Sequence, residues 1–166
     1  MGRFNDALAQ PGLGAIAEIK RRSPSAGDLR PDADPALIAP AYAGAGAAAI
    51  SVLVDERFGG TWDDLRAARA RTTAPLLAKG FFSTDDHLRT AKEAGADAMV
   101  TPCPLCHLSL DAWQSKLKAQ TGKDFQMPVL HLSQLIGVAA GLDESELKFK
   151  RHVVPVGPVL ERVEAP

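Results

Sequence analysis

The sequence predicts a parallel α/β fold, either an open doubly wound sheet or part of a (βα)8 barrel. Short apolar runs alternate with amphipathic stretches over roughly the first hundred residues. The intervening stretches are long enough for the helical crossovers that parallel strands require. Charged residues also recur at the ends of the apolar runs, where parallel α/β proteins place their chemistry.

Taken in order, "GAIAEIK" (14–20) reads as a strand and "DPALIAPAYAGAG" (34–46) as a helix closed by glycine, with Pro40 set against its continuity. "AAAISVLVD" (47–55) is a second strand. "TWDDLRAARART" (61–72) is a helix with Thr61 as cap, Asp63 and Asp64 in its first turn and arginines toward its end. "APLLAKGFF" (74–82) is a third strand, "STDDHLRTAKEAG" (83–95) a helix capped by Ser83 or Thr84, and "ADAMV" (96–100) a fourth strand. Beyond Val100 the texture changes. "LSLDAWQSKLKAQTG" (108–122) carries Leu110, Trp113 and Leu117 at helical spacing, "MPVLHL" (127–132) is a short strand and "SQLIGVAAGLD" (133–143) a small-residue helix. "KRHVVPV" (150–156) reads as a last strand and "GPVLERVEAP" as a loose tail.

The chain has 166 residues, 46% of them hydrophobic, and a formal charge of −1. It is long enough to bury a core, and it offers no electrostatic footprint for nucleic acid or an anionic membrane. No basic-then-apolar leader and no long apolar run are present, so a cytoplasmic protein is expected. Two cysteines cannot form the disulfide framework of a secreted domain.

Alternation puts Glu18 and Lys20 on one face of the first strand and Ala17 and Ile19 on the other. With the apolar face toward helices, a carboxylate and an ammonium face the inside of the sheet or barrel. A structural ion pair there is costly to bury. Lys79 ends the third strand in the same manner. Two lysines and a glutamate at strand ends suit an anionic substrate and a proton donor.

The strings "GAIAEIKRRSPSAGDLRPDADP", "AAAISVLVDERFGGTWDDLR" and "APLLAKGFF…AKEAGADA" resemble the first half of indole-3-glycerol-phosphate synthase, the TIM-barrel lyase of tryptophan biosynthesis, over about residues 4–100. The E-x-K-x-x-S-P-S string is the specific part. The resemblance implies a (βα)4 half of a TIM barrel continued by two further β/α elements. It implies ring closure of a phosphorylated, anthranilate-derived substrate with loss of carbon dioxide and water, without a cofactor. Lys79 matches the general-acid lysine, Lys20 the lysine that contacts substrate, and Glu18 the glutamate beside it. Ser23 matches a substrate-contacting serine, and Phe58 and Phe81 match aromatics near the anthranilate ring; core packing is the alternative for both rings. Gly80 stands where the family commonly has aspartate, and Val54 where it often has threonine. The family's later strands supply a further glutamate, an asparagine and most of the phosphate cradle, none recognisable here, so the site is expected to be catalytically incomplete. Open sheet edges would be covered in a homo-oligomer.

"TPCPLCHLSLD" (101–111) spaces Cys103 and Cys106 so that both thiolates could bind one metal or cluster, with His107 following and His131 and His152 as further nitrogen donors, a hydrogen-bonded core role being the commoner one for the lone histidine in "VLHL". Packing without chemistry is the plainer alternative. Pro102 and Pro104 flank Cys103 only, which places thioredoxin-like exchange behind metal binding. The strings "GADAMVTPCPLCHLSLDAWQ", "MPVLHLSQLIGVAAGLD" and "FKRHVVPV" resemble the C-terminal end of the cysteine-rich domain of the heterodisulfide reductase family, over about residues 95–156. That resemblance implies an iron–sulfur cluster, although its upstream cysteine ligands are missing. The expected organisation is a half-barrel over 1–100 and a cysteine-domain-like segment over 101–166, joined as a chimera or fusion. The alternatives to the lyase are an iron–sulfur electron-transfer fragment of the heterodisulfide reductase type and an inactive α/β chimera.

Overall fold

The computed structural model describes residues 7, 10–82 and 84–164. Ser83, one of the two expected caps, lies outside the described residues, as do the last two residues of the expected tail. Packing divides the chain into two compact units, Gly2–Ser83 and Thr84–Pro166. This packing boundary is distinct from the boundary between resemblances expected at residues 100 and 101.

In the first unit the order is β1 (Ile16–Ile19), β2 (Arg22–Ser23), β3 (Gly27–Asp28), α1 (Pro35–Gly44), β4 (Ala49–Leu53), a 3₁₀ turn (Glu56–Phe58), α2 (Trp62–Arg71) and β5 (Leu76–Lys79). β4 lies between β1 and β5 in a parallel three-stranded sheet. Being central, it is buried along its whole length. Ile19, Ile50, Val52 and Val54 pack with Ile38, Ala39 and Ala68 in one core between sheet and helices. The alternate residues Glu18, Ser51 and Lys79 therefore belong to the opposite face.

α1 runs unbroken through Pro40, held by buried Ile38 and Ala39 and started by Asp34, whose carboxylate accepts from the Ala36 N–H at 2.9 Å. α2 begins with a full capping box in which Thr61 and Asp64 satisfy each other's backbone N–H groups. The sequence reading missed the β2–β3 hairpin, an antiparallel pair closed by the Arg22–Asp28 ion pair at 2.7 Å. Such a short pairing follows from turn chemistry around Gly27, at φ 67°, and leaves no strand period to detect.

The second unit contains α3 (Asp85–Glu93), β6 (Met99–Thr101), α4 (Pro104–Thr121), β7 (Val129–His131), α5 (Leu132–Ala139), α6 (Glu144–Leu147), a 3₁₀ turn (Phe149–Arg151) and α7 (Gly157–Glu164). β6 and β7 pair in parallel. α4 starts earlier than expected, because Cys103 caps it and Pro104 occupies its first position. Inside it, Gln114 forms a two-bond amide clasp with Met127, donating to the Met127 carbonyl at 2.8 Å and accepting from its N–H at 2.9 Å.

Two expectations fail in this unit. Residues 150–156 form no strand: the N–H groups of Val153 and Val154 bond the buried carboxylate of Asp111 at 2.7 and 2.9 Å, in place of a neighbouring strand. The tail is helical through Glu164, because Leu160 packs with Leu130, Phe149 and Val156. Among the described residues no helix is long and apolar enough to cross a membrane.

Candidate active site

The sheet register sets Glu18 beside Ser51 and Leu53 beside Lys79. Lys79 reaches across β4 to Glu18, with Nζ 2.7 Å from Oε2. The same carboxylate oxygen lies 3.4 Å from the hydroxyl of Ser51, a polar residue only 3% exposed. The ion pair itself is open: the Lys79 side chain is 57% exposed and that of Glu18 30%. The pair spans the C-terminal ends of β1 and β5, the two parallel strands that flank β4.

Lys20 follows the end of β1 and sets its Nζ 5.6 Å from the centroid of the Phe58 ring. Phe58 stacks on Phe81, with centroids 6.0 Å apart and planes inclined by 14°. Phe81 is 62% exposed and carries the Arg57 guanidinium 4.5 Å above its ring, so its expected alternative role as core packing does not hold. These rings form a small aromatic wall beside the charged pair.

Asp55 fixes that wall. One oxygen accepts from the Arg57 N–H at 3.0 Å, the other from the Phe81 N–H at 2.9 Å, and both bind the Arg57 guanidinium. The Arg57 hydrogen bond, opposed by burial and aided by the two backbone N–H groups, holds the Asp55 carboxyl well below the usual carboxylate range. One carboxylate thus ties the loop after β4 to the loop after β5. Gly60 returns that first loop to the sheet so closely that a Cβ there would collide with the Leu53 carbonyl oxygen.

Arg21, on the helix-facing side of the same strand end, makes a bidentate pair with Asp64 at 2.7 and 2.8 Å. It also donates to the carbonyls of Ala33 and Gly59, at 3.0 and 2.8 Å. Burial works against charge on Asp64, but the Arg21 and Thr61 hydrogen bonds outweigh it and lower its pKa. Ser51, Asp55, Arg57 and the Arg21–Asp64 pair escaped the sequence reading. The available signals were a lone serine in an apolar strand and an aspartate just past its end. Among the described residues, Ser23 joins neither the ion pair nor the aromatic wall; its hydroxyl lies 3.1 Å from that of Ser25.

A concavity of about 490 Å³ lies elsewhere in this unit, lined by small and apolar residues including Pro11, Leu13, Ala48, Thr73 and Pro75. Those residues precede the strands, so the concavity sits at the opposite end of the sheet from the charged pair.

Cys103 and Cys106, the expected metal pair, gather no third ligating side chain among the described residues. Among the described residues no three His, Cys, Asp or Glu side chains gather to hold an ion. His107 and His131 turn their Nε2 atoms to the carbonyls of Val129 and Pro102, each at 3.1 Å, and His131 Nδ1 pairs with Ser133 at 2.8 Å. Cys103 and Cys106 are both free thiols.

Helix-backed parallel strands with lysine and glutamate toward their C-terminal ends are consistent with part of an α/β barrel. The family model for indole-3-glycerol phosphate synthase matches residues 2–130, and the chain belongs to that family. The match continues past Val100 through both cysteines. Curated relatives named indole-3-glycerol phosphate synthase include those of Mycobacterium ulcerans and Saccharopolyspora erythraea, each 50% identical over 95 residues, which is 57% of this chain and 35% of the relative. That of Nocardioides sp. is 51% identical over 90 residues, 54% of this chain and 35% of the relative. The chain thus aligns with about a third of the length of these relatives.

Proposed function

We propose that the unit containing β1, β4 and β5 is the substrate-handling first half of an indole-3-glycerol-phosphate synthase barrel, acting on a phosphorylated, anthranilate-derived substrate. The carrying observation is the 2.7 Å Lys79–Glu18 pair at the strand ends. Lys79 is the proton donor to the oxygen that leaves as water, and Glu18 orients its ammonium. Lys20, beside Phe58, attracts the substrate's anionic groups, while the Phe58–Phe81 stack offers a flat surface for its aryl ring. Ser23 is assigned a substrate contact by family match alone. No cofactor is needed for this chemistry.

The iron–sulfur alternative for residues 101–166 would need ligands beyond Cys103 and Cys106, and the Nε2 atoms of His107 and His131 are already engaged by backbone carbonyls. No observation favours it.

The test is indole fluorescence on adding 1-(2-carboxyphenylamino)-1-deoxyribulose 5-phosphate to the full chain. Without the groups that the family's later strands supply, product should form only slowly, and Lys79→Ala should lower that rate by about 10²-fold or more, as for loss of a general acid. Folded protein that yields no product would overturn lyase activity for this chain.

A further inference from the structure

The lyase reading leaves the cysteine pair unused, and its geometry has its own chemistry. Cys103 is the N-cap of the eighteen-residue helix α4, with Pro104 at the first helical position. Its Sγ accepts the Cys106 N–H at 3.3 Å, so the sulfur takes the place of a capping oxygen. The approach to the cap is tied at two points. Thr101 Oγ1 accepts from the Cys103 N–H at 3.2 Å, and His131 Nε2 is 3.1 Å from the Pro102 carbonyl. Cys103 is half-buried and Cys106 exposed. Helix geometry puts the Cα atoms of a cap residue and the residue three further on about 5 Å apart, inside the roughly 4.4–6.8 Å window of a disulfide.

We propose that Cys103 and Cys106 form a dithiol–disulfide exchange site, with Cys103 as the attacking thiolate, Cys106 as the resolving thiol and a low-molecular-weight disulfide as the oxidant. The helix N-terminus and the Cys106 N–H favour negative charge on Cys103 Sγ. The Cys106 thiol adds its own hydrogen bond, which draws the Cys103 pKa down and pushes that of Cys106 up.

The step balances as ordinary exchange. Cys103 Sγ attacks one sulfur of the small disulfide, its S–S bond breaks, and one thiol leaves. Cys106 then gives up its proton, and its sulfur attacks Cys103 Sγ. The mixed disulfide breaks and a second thiol is released. The protein loses two protons and two electrons, and the small disulfide becomes two thiols. No lyase activity is required, so this site stands or falls separately from the barrel reading.

The experiment equilibrates the reduced full chain with mixtures of reduced and oxidised glutathione, quenches it with acid and weighs it. The expected product is monomer lighter by two hydrogens, restored by dithiothreitol. Cys106→Ser should instead trap one glutathione on Cys103. It should also react with iodoacetamide at least about threefold faster than Cys103→Ser, given the higher thiolate fraction at a helix N-terminus. Cys103→Ser keeps a good capping residue, which protects the fold of that control. Equal rates for the two single-cysteine variants would overturn the proposal. So would glutathione adducts or linked dimers without the internal bridge, or purified protein whose two thiols are blocked by stoichiometric metal.

Discussion

Lys79 and Glu18 hold each other across a strand, yet both remain partly open to solvent. An exposed pair of this kind contributes about 0–1 kcal/mol to stability. Glu18→Gln should therefore move the urea unfolding free energy by less than about 1 kcal/mol, while lowering indole-glycerol phosphate formation by about tenfold or more through a misplaced Lys79. A large loss of stability with unchanged turnover would make the pair structural. At this scale the sequence was informative wherever a two-residue period decides the answer. Glu18, Lys20 and Lys79 face one way because Ile19 and Ala78 must face the helices. It was silent on Asp55, whose role comes from meeting Phe81, far along the chain. For Ser23 the family match named a role to which the structure adds no contact beyond Ser25.

Among the elements, β1, β4, β5, α1 and α2 follow the expected order, since each carries a clear apolar period or a cap. The failures share a cause. The β2–β3 hairpin and the irregular segment at 152–156 are shaped by individual side-chain bonds, Arg22–Asp28 and Asp111 to Val153 and Val154, which leave no periodic trace. The Arg21–Asp64 pair is a further such bond, joining the end of β1 to the start of α2. Because folding lowers the Asp64 pKa, the stability it adds is present above the unfolded carboxylate value of about 3.9 and is lost as pH falls through the folded value. Urea midpoints measured from pH 6 down to pH 3 should fall at the acid end. Asp64→Asn should flatten that fall and lower the midpoint at pH 6, with a cost of roughly 1–3 kcal/mol for a partly buried charged bond. An unchanged acid profile would remove Asp64 from the account.

Over the whole molecule, a second pH dependence belongs to the Thr84–Pro166 unit. Gln134 donates one amide hydrogen to the Leu147 carbonyl and faces His152 Nε2, both at 2.9 Å, while its oxygen takes the His131 N–H. His152 Nε2 must then accept, which leaves the proton on Nδ1, a buried atom with no hydrogen-bond partner among the described residues. Burial lowers the His152 pKa; the Asp111 charge opposes this and His107 adds to it. Above the unfolded value of about 6.5, both states are neutral at this site. Below it the unfolded chain takes up the proton first, so stability falls as pH drops toward the folded value. Thermal unfolding between pH 8 and pH 5.5 should show that loss, and His152→Gln should remove it. A loss that survives the substitution would locate it elsewhere.

The amide clasp between Gln114 and Met127 has the opposite character. A carboxamide presents one donor and one acceptor side by side, as a peptide group does, so α4 carries what amounts to a detachable rung of backbone, docked just ahead of β7. It has no proton to gain or lose in ordinary acid. As the solution is acidified, amide protons around His152 should begin to exchange with deuterium while the Met127 amide stays protected. Mild acid would then open this unit in a set order, with the titrating edge released before the neutral clasp lets go.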